Sequence, residues 1–242
     1  MGPVEFRVLG TLDLHDSEGR DFRALLAQPK RIALLVYLCL QKPTGLHRRD
    51  TLVGLFWPES DQAHARNSLR NSIHALRHAI GEDAFDTRGD EEIGVRQSKF
   101  WCDALVFEDF ARSARLDEAL TLYSGDLLPG FFLDGAPSFE RWLDDQRHRL
   151  RILAAKTARA AAQRREADNR ITDAISSAQR AVQLSSSDER VVRSLIELLL
   201  RAGDRSEAVR VYQEFCRHLA SEFQTAPSPE TTALIHSSLP PA

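Results

Sequence analysis

The 242-residue chain is 43% hydrophobic and 28% charged, the proportions of a globular protein with room for one large domain or two ordinary ones. Its formal net charge of −3 excludes a polycation, so any contact with nucleic acid has to come from a local basic patch. Cys39, Cys102 and Cys216 are far apart and form no C-x-x-C pair, which excludes a disulfide framework or a cysteine zinc site.

Residues 4–10 alternate apolar and polar side chains, and residues 11–15 resume that pattern after Gly10. Period two, a glycine break and the turn residues 16–19 predict two short strands. Pro29 then suits the first position of a helix, and residues 30–41 are apolar nearly all round, as the buried helix of a small domain would be. Cys39 in this run reads as a core residue in a reducing compartment. The run 32–40 is too short to span a bilayer and no signal peptide heads the chain, so a soluble, cytoplasmic protein without membrane contact is expected. Residues 47–57 carry Leu52, Leu55 and Phe56 at helical spacing, ended by Pro58.

The next stretch, 61–81, is the one the rest of the chain is organised to position. Ala65, Leu69, Ile73, Leu76 and Ile80 make one helical stripe, with Asp61 as its N-cap. Arg66, Asn67, Arg70, Asn71, His74, Arg77 and His78 fall on the opposite face, and no acidic residue lies between Ala63 and Gly81. An ordinary surface helix mixes charge signs, whereas Arg and Asn are the forked side chains that match guanine and adenine edges. Residues 84–96 then read as a hairpin turning at Gly89-Asp90, a wing whose acidic tip (Asp90, Glu91, Glu92) only Arg88, Arg96 and Lys99 could offset.

From Asp103 onward Ala, Leu, Glu and Arg dominate, and helices are expected over 106–114, 116–123 and from about 138 to 168. The phrase Thr172-Asp-Ala-Ile-Ser-Ser-Ala recurs as Ser206-Glu-Ala-Val-Arg-Val-Tyr, and 34 positions separate Ala174 from Ala208, the tetratricopeptide period. Asp117-Glu-Ala-Leu-Thr-Leu-Tyr123 is a third copy at irregular spacing. The arginines of 147–151 read as a solvated face. The fold expected is mainly α with a small β component: a winged helix-turn-helix over 1–102, then an all-α, tetratricopeptide-like domain over 103–242. No G-x-S-x-G, phosphate-binding glycine loop or H-E-x-x-H is present, so neither an enzyme nor a cofactor is expected. His74 and His78 at i and i+4 lack a further ligand, and no metal is expected.

The motifs Phe6-Arg-Val-Leu-Gly10, Pro29-Lys-Arg, Arg49-Asp-x-Leu, Leu55-Phe-Trp-Pro58 and Ala65-Arg-Asn-Ser-Leu-Arg70 resemble the winged-helix half of the Streptomyces antibiotic regulatory proteins. Ala119-Leu-Thr-Leu-Tyr-Ser-Gly-Asp-Leu-Leu-Pro-Gly130, Gly203-Asp-Arg-Ser-Glu-Ala-Val-Arg-Val-Tyr212 and Pro227-Ser-Pro-Glu230 resemble its bacterial transcriptional activator domain. The resemblance implies an OmpR-like winged helix that binds tandem direct repeats in double-stranded DNA and recruits RNA polymerase through its sigma or alpha subunits. It also implies a homodimer, at least on DNA. Arg66, Asn67, Arg70, Asn71 and His74 would face bases or flanking phosphate, Arg77 a backbone phosphate, with Arg48, Arg49 and Arg88 beside them. The loop of Pro58, Glu59, Ser60 and Asp61 would touch polymerase. The ATPase module of larger members has no counterpart in these residues. The alternative is a tetratricopeptide-like interaction scaffold whose winged helix has little or no role in reading DNA, a reading favoured by the acidic wing and the negative net charge.

Overall fold

The computed structural model describes residues 3–16 and 18–238; Ser17, in the turn expected over 16–19, lies outside them. Packing divides the chain into two compact units. One runs through Asp109 and takes in Thr121–Leu150; the other is Phe110–Leu120 with the chain from Arg151 onward. The composition changes at Asp103, but packing carries the first unit on to Leu150.

The first unit opens with β1 (Val4–Arg7) and β2 (Asp13–His15), an antiparallel pair in the register Phe6 to Leu14. α1 (Arg23–Leu26) leads to α2 (Pro29–Leu40), which is buried continuously from Ile32 to Leu40. Pro29 sits at its first turn, where a missing N–H leaves no bond unmade. His47 and Arg48, expected as helix, instead form β3 (His47–Arg48), and α3 (Arg49–Phe56) starts one residue on. α4 (Gln62–Ile80) follows the loop of Pro58 to Asp61. β4 (Phe85–Arg88) and β5 (Glu92–Val95) form the wing, and β3 joins as a third strand beside β5. Gly94 is required there: a Cβ on it would stand 2.2 Å from the Gly45 carbonyl oxygen.

Sequence reading did not find β6 (Phe100–Cys102), which pairs in parallel with β1, Val4 opposite Phe100. α5 (Asp103–Arg112) begins at once. The Asp103 carboxylate is buried and accepts from the backbone N–H groups of Val8 and Leu9 at 3.0 Å and of Ala104 at 2.7 Å, closing the end of the sheet. After α6 (Leu116–Leu122) the chain returns to this unit. Leu128 N–H donates to the Val8 carbonyl at 2.8 Å, and Gly10 and Gly125 approach so closely that a Cβ on Gly10 would meet the Gly125 nitrogen at 2.9 Å.

α7 (Pro137–Ala167) starts in the first unit and ends in the second. Its first turns complete the core of the winged helix. Phe139 is fully buried with its ring 5.1 Å from that of Phe56, and Trp142 lies 4.9 Å from Tyr37 while its Nε1 donates to Gln41 at 2.6 Å. Here Arg147 is not the solvated side chain expected. Its Nε donates to the Leu127 carbonyl at 2.9 Å and its Nη2 to those of Leu128 and Phe131 at 2.7 and 2.9 Å. A guanidinium with five fixed donors serves three carbonyls of this loop at once. Arg149, with Lys42, brackets the buried Glu108.

The second unit holds α8 (Ile171–Leu184), α9 (Glu189–Arg201), α10 (Arg205–Phe223) and α11 (Pro229–Ser238). Ala119, Ala174 and Ala208, the repeated alanines, are all fully buried. Small side chains let helices approach closely enough for Val192, Leu195, Val211 and Phe215 to interlock around Ala174 and Ala208. Among the described residues no helix is long and apolar enough to cross a membrane.

Candidate nucleic-acid interface

α4 begins at Asp61, whose Oδ1 accepts from the His64 backbone N–H at 3.0 Å. That bond, then the His64 side chain 2.5 Å from Oδ2, holds the Asp61 carboxyl below the usual carboxylate range. A charged N-cap fixes the first turn and with it the rotation of the helix. From there the helical period sends Ala65, Leu69, Ile73, Leu76 and Ile80 into the core, and leaves Arg66, Asn67, Arg70, Asn71 and His74 exposed together. The His74 and His78 rings stack 6.5 Å apart. Among the described residues no group of three or more His, Cys, Asp or Glu side chains is placed to hold a metal.

Arg77 stands apart from this group. Its side chain is only 23% exposed, and its enclosed Nε lies 3.4 Å from a Glu82 carboxylate oxygen without forming a hydrogen bond. It complements the carbonyl end of α4 rather than its open face.

Arg48 and Arg49 meet the front of α4. With Asp50, Arg66, Leu69, Arg70, Asp90 and Glu91 they line a cleft of about 470 Å³. The Arg49 backbone N–H donates to the Glu91 carbonyl at 2.8 Å, tying the start of α3 to the wing turn, while its enclosed Nε has no hydrogen-bond partner among the described residues. Arg66 Nη2 is 3.1 Å from Asp50 Oδ1. Sequence reading missed Asp50; its only signal was an acid directly after two arginines at a helix start.

At the wing, Arg88 is exposed and stands 3.0 Å from a Glu92 carboxylate oxygen as an ion pair without a hydrogen bond, while Asp90 and Glu91 are open to solvent. The other two cations expected to offset that tip are engaged away from it, at the base of the hairpin and in the turns that flank it: Arg96 with Asp86 and Lys99 with Asp83, each at 2.5 Å. The Lys99 ammonium accordingly holds the Asp83 carboxyl low. The loop residues Pro58, Glu59, Ser60 and Asp61 are all exposed and lie at the opposite end of α4 from Arg77.

The family profile of the bacterial transcriptional activator domain matches residues 103–239. No curated protein matches the chain. Among solved structures it is similar to Mycobacterium tuberculosis EmbR in complex with a low-affinity phosphopeptide, at a TM-score of 0.68 and 18% sequence identity. That match covers 98% of this chain and 65% of EmbR, so the chain spans about two thirds of the length of that structure. At this identity the likeness is one of fold, a winged helix followed by tetratricopeptide-like helices.

Proposed function

Because the chain belongs to the family of the bacterial transcriptional activator domain, a family of transcriptional regulators, we propose that it is a sequence-specific DNA-binding activator. In this reading it binds tandem direct repeats at promoters as a homodimer and recruits RNA polymerase. The observation that carries the reading is the exposed face of α4, where Arg66, Asn67, Arg70, Asn71 and His74 stand together with no carboxylate on the helix beside them. A helix of this kind enters the major groove, where Arg matches the O6 and N7 of guanine and Asn the N6 and N7 of adenine. Arg48, Arg49 and Arg88 would meet flanking phosphates, and Arg77 a phosphate beyond the helix end. Residues 1–102 would supply the DNA contacts and residues 103–242 the activator function, with the exposed Pro58–Asp61 loop touching polymerase.

The second reading, an interaction scaffold that does not read DNA, draws on Asp50, Asp90 and Glu91 sharing a cleft with four arginines. Like charge there repels phosphate. Salt separates the two. Selection of bound duplexes from a random DNA pool should yield a repeated motif at a spacing near one helical turn, and affinity for it should fall steeply as salt rises, since neutralised phosphates release counterions. No enriched motif, with weak binding at low salt, would return the scaffold.

A further inference from the structure

Two clefts of the helical unit are closed on their own charges. In one, Arg210 is bonded by both Glu207 and Glu214, and His218 lies 3.0 Å from the Ser187 hydroxyl. In another, Arg115 pairs with Glu118 and Arg165 with Asp117. A third, of about 400 Å³, differs. It lies between α7 and the turn from α8 into α9, with Ile152, Ala155, Lys156, Arg159, Arg190 and Val191 on its walls. Lys156 and Arg159 form no hydrogen bond or ion pair among the described residues. Arg190 reaches only Asp188, at 3.4 Å, and that carboxylate already caps α9 by accepting from the Arg190 backbone N–H. Between the cations Ile152 is left 40% exposed, beside the nearly buried Ala155 and Val191.

We propose that this cleft docks an acidic protein segment carrying an aliphatic side chain, with the aliphatic group on Ile152, Ala155 and Val191 and carboxylates on Lys156 and Arg159. Three cations against one spent carboxylate make a local positive field on a chain of net charge −3, and that field draws a partner of opposite sign. An exposed aliphatic side chain in a concave site gains most from a matching apolar group, and alone it would gain nothing from water. A nucleic-acid strand would satisfy the cations but not the floor. Strands bind by stacking bases on aromatic rings, and the cleft has none. The inference uses no residue of the α4 face, so it stands or falls apart from DNA reading.

The test is fluorescence anisotropy of the full chain with a fluorescein-labelled peptide in which two leucines are set among aspartates and glutamates. Saturable binding is expected, about tenfold weaker for Lys156→Glu/Arg159→Glu and about threefold weaker for Ile152→Ser, with melting temperature unchanged. The same peptide with serine for leucine should bind the wild type less well. If charge reversal lowers the melting temperature, Lys156→Gln/Arg159→Gln should still weaken binding in the same direction. The proposal is overturned by a lack of saturable binding, by variants that bind as wild type does, or by equal affinity for the leucine-free peptide, which would mark a plain polyanion site. Loss of random-duplex affinity in the charge-reversal variant with peptide binding intact would overturn it too, assigning the cations to DNA.

Discussion

Arg66 and Arg70 stand about one turn apart on α4 yet meet different neighbours. Arg70 has no bonded partner among the described residues, whereas Arg66 is held by Asp50. Both members of that pair are more than half exposed, so it contributes little to stability; what it does is orient. A guanidinium bonded along one edge keeps a second edge for a base. On the proposed DNA-reading function, Asp50→Asn should therefore lower discrimination at one base pair while tightening binding to random duplex, because a negative charge leaves the proposed interface. Competition anisotropy gives both numbers, and equal tightening on cognate and random DNA would reduce Asp50 to a repulsive charge. Arg70→Ala should cost about 1–3 kcal/mol on the selected operator and relax preference at its base. Unchanged binding to both duplexes would remove Arg70 from the reading face. A third residue sets a pH dependence. Burial keeps the His47 imidazole below its ordinary 6.5, and its enclosed Nε2 has no hydrogen-bond partner among the described residues. The folded chain favours the neutral ring and the unfolded chain takes up the proton first. Stability is thus gained as pH rises toward 6.5, is complete above it, and is lost on acidification below it. Melting temperatures measured from about pH 5 to 7 should show that rise, and His47→Gln should flatten it.

Among elements, α7 has the least expected role. Its first turns give the winged helix Phe139, and Phe139→Ala should cost about 3–5 kcal/mol, read as a fall in the denaturant midpoint of the first unit. A cost under about 1 kcal/mol would mean that the ring is replaceable by local collapse. Phe139, Leu143 and Leu150 recur at helical spacing and are all buried, a stripe of the kind that period alone marks because it is a local signal. What they pack against was not legible, since nothing near residue 139 in sequence points to Phe56. The same contrast runs through the fold. α2, α4 and the β4–β5 hairpin announce themselves through period, caps and turn glycine. β3, with two residues, and β6, with three, exist only through partners far along the chain, Ile93 for His47 and Val4 for Phe100. Arg147 misled for a related reason. An arginine in a charged run is usually solvated, and the carbonyls that claim it lie in a loop with no pattern of its own. On α4 the open face was readable from residues alone, but Asp50 and the wing turn entered that neighbourhood through tertiary contacts.

At the scale of the molecule, sequence division and packing division do not coincide. The family profile begins at residue 103, while the unit that carries α4 extends to Leu150. A fragment of residues 1–102 would lack Asp103, which closes the β1 end, and Phe139 and Trp142, which cover Phe56 and Tyr37. It should melt broadly or not cooperatively, whereas residues 1–150 should melt in one transition by near-ultraviolet circular dichroism. A cooperative melt for 1–102 at the temperature of the longer fragment would show those contacts to be dispensable.

The chain visits the first unit, leaves it at Phe110, returns at Thr121 and leaves again after Leu150. On the ribosome that order becomes a delay. When residue 102 emerges the strands and α4 are all present, but the groups that seal them are still being made. At about 5–20 residues per second, roughly 2–10 s pass before residue 150 follows. For that interval a nascent chain holds an open aromatic face, the kind of exposed apolar surface on which chaperones act.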